Sequence, residues 1–280
     1  MIIKNPGFKM GYNSITNFND LPWYDKFNTK MNFGILLLAK NDCYNFNEPL
    51  EKAILLMTGT VELVWSLNHD NNNISFNKIV SRTSIWHENP WCLHLPKSYN
   101  VNIKSLSEKS ELALISTLNE KDFLPKLYGP NDCQTEERGK GILQETSTRL
   151  VRTIFDDSNA PLSNLVLGEV INLPGKWSSY PPHKHEMPEL YHYRFLPEQG
   201  FGFSMLEEDT VQVHNGDTVL IFNQWHSQTS APGYAMYYIW SIRHLDNKRY
   251  GPKSNTPYFD PKHEWTMNKD NQDKIFNLKL

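Results

Sequence analysis

Residues 177–195 read Trp177-Ser178-Ser179-Tyr180-Pro181-Pro182-His183-Lys184-His185-Glu186-Met187-Pro188-Glu189-Leu190-Tyr191-His192-Tyr193-Arg194-Phe195. On a strand, positions i and i+2 share a face, so His183 and His185 aim at one point and Lys184 points away. Glu189 opens the next apolar and aromatic run, and a turn at 186–188 returns its carboxylate toward the same point. Neutral imidazoles with a carboxylate make a ligand set for a divalent transition metal. A fourth ligand is expected from a neighbouring strand, and His226, just past the apolar run Val219–Phe222, is the candidate.

Outward from this stretch the chain is punctuated by 17 prolines and 14 glycines. Short runs rich in β-branched and aromatic residues recur: Phe33–Ala39, Ala53–Met57, Val61–Trp65, Leu112–Ser116, Leu165–Ile171, Val211–Val213, Val219–Phe222 and Met236–Ile242. Short strands separated by turn residues predict an all-β fold, a sandwich or barrel. Asn215-Gly216 between Val211–Val213 and Val219–Phe222 predicts a tight hairpin with a type I′ turn. A polar, turn-rich stretch around Tyr128-Gly129-Pro130 and 136–141 predicts a connector over 126–155, between β domains at 1–125 and 156–280. A short helix or frayed tail is expected after Trp265.

Twenty-eight basic and 31 acidic residues leave a net charge of −3 with no basic run. Nucleic acid and anionic membrane surfaces are therefore poor partners. The longest apolar run, Phe33–Ala39, is far short of the ~20 residues a membrane helix needs, and the N-terminus lacks signal-peptide features. Cys43, Cys92 and Cys133 are odd in number and widely spaced. They suggest free thiols in a reducing compartment, and so a cytoplasmic protein. Exposed strand edges would suit a homo-oligomer.

The order His-x-His, Glu, then a distant His resembles a cupin metal site. The resemblance extends further. Gly168-Glu169-Val170, the segment from Trp177 to His185, Tyr191 to Arg194, Ser230 to Tyr234 with Tyr237-Tyr238, and Asp260-Pro261-x-His263-x-Trp265 resemble the 5-deoxy-glucuronate isomerase family of bacterial inositol catabolism. Arg138-Gly139-Lys140-Gly141 also fits it. That family is related to the uronate ketol-isomerase of pectin breakdown. Here the segment between the histidine pair and the glutamate is short, Trp225 precedes His226, and His192 replaces a tyrosine.

The resemblance implies two tandem cupin domains (double-stranded β-helix, or jelly-roll, barrels), with the metal in the C-terminal one and a degenerate N-terminal one. It implies a cytoplasmic aldose–ketose isomerase that converts 5-deoxy-glucuronate to 5-dehydro-2-deoxy-gluconate. The ligands would be His183, His185, Glu189 and His226. They would hold one divalent ion, which the ligand set allows to be zinc, manganese, iron or nickel. A planar arginine suits the substrate's carboxylate, and Arg194 and Arg243 are the candidates. Tyr180, Tyr191, Tyr193 and Tyr238 are candidates for sugar hydroxyls; Tyr191 and Tyr193 share the parity of Glu189. The residues do not single out a general base. In the first half, His87, Glu88 and His94 lack the His-x-His spacing and read as a packed loop without metal. An iron-dependent cupin dioxygenase and a non-catalytic sugar-binding cupin are the alternative readings of the same site.

Overall fold

A computed structural model describes residues 1–68, 75–251, 254 and 256–276. The strands are, in chain order, β1 (Ile2–Ile3), β2 (Gly11–Thr16), β3 (Asn32–Ala39), β4 (Cys43–Phe46), β5 (Glu51–Leu67), β6 (Ser75–Arg82), β7 (Trp91–Leu95), β8 (Tyr99–Ser105), β9 (Lys109–Thr117) and β10 (Lys126–Tyr128). There follow β11 (Gln134–Arg138), β12 (Arg149–Phe155), β13 (Leu165–Asn172), β14 (Trp177–Lys184), β15 (Glu189–Leu196), β16 (Phe201–Leu206), β17 (Asp209–His214), β18 (Thr218–Ile221), β19 (His226–Ser230), β20 (Ala235–Arg243) and β21 (Tyr258–Phe259). Short 3-10 helices at Glu264–Met267 and Lys269–Lys274 occupy the expected tail. No helix among the described residues is long and apolar enough to cross a membrane.

The chain divides into two compact units. One comprises 6–134 and 154–166; the other comprises 1–5, 135–153 and 167–280. The first five residues thus group with the later half, and 154–166 with the earlier half. The stretch expected to be a connector, 126–155, contains β10, β11 and β12.

In the unit of 6–134 and 154–166, β5 holds two sheets together. The runs expected as separate strands at Ala53–Met57 and Val61–Trp65 are one 17-residue strand. Its first part pairs with β7 and β9, its second with β6 and β8. The register shifts between Leu56 and Thr58, so the core residues are even-numbered before it (Ile54, Leu56) and odd-numbered after it (Val61, Leu63). Gly59 follows at φ +105°, where a Cβ would lie 2.6 Å from the Ser110 hydroxyl. Only glycine takes that conformation and that approach without strain.

In the other unit, a sheet ordered β1-β18-β15-β20-β13-β12-β11 and a sheet ordered β17-β16-β19-β14-β21 enclose a core. Val151, Val170, Tyr191, Tyr193, Phe195, Val219, Ile221, Met236 and Tyr238 belong to that core. The hairpin expected across Asn215-Gly216 does not form. β17 pairs with β16, whereas β18 pairs with β15 and β1. The turn itself exists: the Asp217 N–H donates to the His214 carbonyl, and Gly216 sits at φ +85°. It carries the chain from one sheet to the other, because the apolar faces of β17 and β18 find better burial on different sheets than against each other. Lys4 and the backbone N–H of Asn5 bind the buried Asp217 carboxylate at 2.9 and 2.8 Å, fastening the turn.

Candidate metal centre

His183 lies near the end of β14 and His185 just beyond it. Glu189 and His226 are the first residues of β15 and β19. His183 and His226 are opposite one another in the β14–β19 register, with ring centroids 4.4 Å apart. His185, Glu189 and His226 are buried, and one ligand atom from each lies within 4.8 Å of the others. His183 flanks this group and does not belong to that closest convergence.

The tautomers follow from the backbone. His185 Nδ1 lies 2.9 Å from the Met187 carbonyl and His226 Nδ1 2.8 Å from that of Gln224. His183 Nδ1 lies 3.4 Å from the Pro181 carbonyl. A carbonyl oxygen only accepts, so each Nδ1 carries the proton, and a neutral ring then presents an Nε2 lone pair. His185 Nε2 is 3.0 Å and His226 Nε2 3.4 Å from the same oxygen, Oε2 of Glu189. The His226 nitrogen is buried and has no hydrogen-bond partner. Burial alone would raise the Glu189 carboxyl; positive charge on His185 and His226 draws it down to about 2, so it is ionised when the cluster holds a cation. Burial, and then the proximity of His226, hold His183 well below the usual imidazole range, so it is neutral. Lone pairs and an anionic oxygen converging on one buried point require a cation there, either ring protons or a metal ion. The donor set fits a divalent ion.

Behind this point the inner face of β15 continues with Tyr191 and Tyr193, and β20 contributes Tyr238. Tyr191 and Tyr238 have ring centroids 4.6 Å apart, and Tyr191 lies 5.9 Å from the His226 ring. The Tyr238 hydroxyl meets Ser178 Oγ at 2.6 Å and Ser179 Oγ at 3.2 Å; Ser179 Oγ also meets the Tyr191 hydroxyl at 3.1 Å. Tyr193 donates to Gln228 Oε1 at 2.6 Å. Burial raises the pKa of Tyr191, Tyr193 and Tyr238, keeping all three protonated. A cavity of about 260 Å³ lies beside Met187, with Glu186, Asn247, Lys248, Arg249 and Tyr258 in its wall.

The other expected residues lie elsewhere. Arg194 has opposite parity to Glu189, Tyr191 and Tyr193; its guanidinium meets His192 Nε2 at 2.5 Å and the Tyr193 carbonyl. Arg243 has opposite parity to Tyr238 on β20 and pairs with Asp246 at 3.0 Å. Neither joins the histidine group. Tyr180 is half-buried, its ring 5.8 Å from that of Trp177. Lys184 stands over the Trp225 ring at 4.4 Å.

Sequence parity alone misses Ser178 and Ser179. Adjacent residues on a regular strand point to opposite faces. Here the β14–β19 register shifts between Ser178 and His183, Ser179 sits at φ +52°, and both hydroxyls reach Tyr238. Arg149 was also missed. It shares the parity of the core residue Val151 on β12, a signal readable only once that face of the strand is known to be the inner one.

The fold and the histidine–glutamate group define a cupin with a potential metal centre. The chain belongs to the KduI/IolB family, which it matches over residues 20–266. It is similar to the 5-deoxy-glucuronate isomerase of Halalkalibacterium halodurans, 29% identical over 255 residues that cover 85% of this chain and 88% of that one. The 5-deoxy-glucuronate isomerase of Bacillus subtilis strain 168 is 27% identical over 278 residues, covering 93% and 94%. Among solved structures, an IolB-like protein from Salmonella typhimurium LT2 superposes with a TM-score of 0.80 at 22% identity, covering 95% of this chain and 99% of that one. A Lactobacillus farciminis oxalate decarboxylase superposes at 0.61 and 11%, covering 85% and 82%. This second likeness shows the cupin fold alone.

Proposed function

We propose that this protein is a metal-dependent aldose–ketose isomerase that converts 5-deoxy-glucuronate to 5-dehydro-2-deoxy-gluconate. The observation that carries the reading is the convergence of His185 Nε2 and His226 Nε2 on one ionised oxygen of Glu189, at 3.0 and 3.4 Å. His185, Glu189 and His226 would hold the ion, with His183 as the adjoining fourth donor. A bound divalent metal supplies Lewis acidity, polarising the sugar's carbonyl oxygen.

The chain's own residues do the rest. The Met187 and Gln224 carbonyls hold two imidazoles in the ligating tautomer before any ion arrives. Tyr191 and Tyr238, kept protonated by burial, donate to sugar hydroxyls from the inner face. Ile221, opposite Glu189 in the β15–β18 register, is the apolar neighbour that keeps bulk water from the site. The unit of 6–134 and 154–166 acts as a metal-free scaffold in this reading.

The test is proton NMR of 5-deoxy-glucuronate with protein reconstituted in turn with zinc, manganese, iron and nickel, alongside elemental analysis. The expected result is ketose product, about one metal per chain, and loss of both in a His183→Ala/His185→Ala double variant. Metal binding without turnover of any uronate would leave a binding protein. Iron-dependent oxygen consumption would make it an oxygenase.

A further inference from the structure

The inner face of β12 presents a buried cation that the metal centre does not use. Arg149 is 9% exposed. Two of its five N–H groups have partners, and both partners are backbone carbonyls: Ser147 at 2.9 Å and Tyr180 at 3.5 Å. Among the described residues no carboxylate pairs with it. Burial works most strongly against its charge; Tyr238 favours it, and Arg138, of like sign, opposes it. Of the other buried arginines, Arg152 faces Glu169 at 3.5 Å and Arg243 faces Asp246 at 3.0 Å, while Arg82 donates to the Leu56 and Glu88 carbonyls. A buried cation without an anion is costly, and is kept where an anion arrives to complete it.

What surrounds Arg149 is suited to a polyhydroxylated anion. Tyr180, whose carbonyl holds its Nη2, is adjacent in sequence to Ser179, and Ser179 bonds the hydroxyls of Tyr191 and Tyr238. On the same inner face, Gln228 accepts from Tyr193, while its buried Nε2 has no hydrogen-bond partner. Gly139, the glycine that follows Arg138, sits at φ +81° against Ser147, where a Cβ would come 2.4 Å from the carbonyl oxygen that holds Arg149. The 138–141 turn therefore packs against the residue that fixes the guanidinium.

We propose that Arg149 binds the carboxylate of the sugar acid, with Tyr191, Tyr238 and Gln228 taking neighbouring hydroxyls. The assignment rests on the sugar-acid isomerase reading and names the residue that selects an acid over a neutral sugar. Arg194 and Arg243, of opposite parity to these tyrosines on β15 and β20, have no part in it. An arginine matches a carboxylate with two parallel N–H donors, which a lysine cannot reproduce.

The test compares glucuronate with its neutral amide, glucuronamide, by calorimetric titration of the full-length, metal-loaded protein. Wild type is expected to bind glucuronate at least ~10-fold more tightly. Arg149→Gln should reduce that preference to within about 2-fold, and Arg149→Lys should restore only part of it, both at unchanged metal content. If Arg149→Gln does not fold, Arg149→Lys must by itself lower the preference several-fold. In parallel, KM for 5-deoxy-glucuronate should rise ~30-fold in Arg149→Gln while kcat changes much less. Equal binding of acid and amide by wild type, or a preference that survives both variants, overturns the assignment. Turnover that persists beside such a result leaves the isomerase reading standing. Conversely, a charge preference lost in the Arg149 variants, without turnover in wild type, keeps Arg149 as a carboxylate site and removes the isomerase.

Discussion

Each of the two units buries a glutamate against histidine, and the two carboxylates meet opposite surroundings. Glu51 begins β5 and is fully buried. His94 Nε2 lies 2.8 Å from one of its oxygens, which also accepts from the Ser163 hydroxyl. The other oxygen accepts from the Asn164 backbone N–H at 2.8 Å and from Asn119 Nδ2 at 2.7 Å. His94 is stacked on Phe155, with centroids 4.2 Å apart. Every lone pair of Glu51 that points inward has a donor. Glu189 instead faces nitrogens that a neutral imidazole leaves without a proton. The first arrangement is complete with protein atoms and ties residues 163–164 to β5. The second is complete only with an added cation. The two buried carboxylates therefore differ in whether the histidine nitrogens facing them carry protons, which for His185 and His226 the Met187 and Gln224 carbonyls decide.

The largest effect that tests this contrast is expected from Glu51→Ala. It removes the acceptor for four donors, and chemical denaturation should show a loss of about 3–5 kcal/mol. The protein that remains folded should keep its metal content. The pH dependence has a definite sign. Burial opposes the charge of Glu51, but His94, Ser163 and Asn164 outweigh it, and its pKa in the folded protein lies below the usual value. Its contribution is thus fully present above the unfolded carboxyl pKa of roughly 4.3. It fades as pH falls through the lower folded value. The stability gap between wild type and Glu51→Gln should accordingly be widest near neutrality and narrow in acid. A gap independent of pH would contradict an ionised Glu51.

A smaller effect, of opposite sign, sharpens the comparison at the other carboxylate. In metal-free protein, Glu189→Gln offers an N–H₂ donor to the lone pairs of His185 and His226. It should therefore stabilise the apo form by about 1 kcal/mol, while the loaded wild type remains the more stable of the loaded pair. Thermal unfolding with and without metal reads both orders. Destabilisation of the apo protein by Glu189→Gln would place protons, not lone pairs, on the two Nε2 atoms. The smallest effect is expected from Ser163→Ala: about 1–2 kcal/mol by denaturation, since three donors to Glu51 stay in place.

The histidine–glutamate cluster was legible because it is written locally. His183 and His185 share a face by strand periodicity, and Glu189 follows after a three-residue turn. His226 needed only an adjoining strand. The strand runs were legible too, since alternation and β-branched composition report burial directly. The Asn215-Gly216 hairpin failed because a turn signal states that the chain reverses, not which strands then pair. β17 and β18 each pair elsewhere, with β16 on one sheet and with β15 and β1 on the other. Arg194 and Arg243 were attractive as arginines near the motif, yet their parity sends them away from the tyrosines.

By itself, then, the sequence determined the all-β class, the strand runs, the histidine–glutamate motif and the family resemblance. All of these are carried by residue type and short-range spacing. Only the tertiary structure decided that β5 is one bent strand, that residues 1–5 group with the later half and 154–166 with the earlier half, and that Ser178 and Ser179 reach the same hydroxyl. It alone set Arg149 on the inner face without a counter-ion while surrounding Glu51 with donors. The physical reason is common to these cases. Register shifts, sheet pairing and the hydrogen-bond partners of a buried charge depend on residues distant in sequence, and no local pattern encodes which of them will meet.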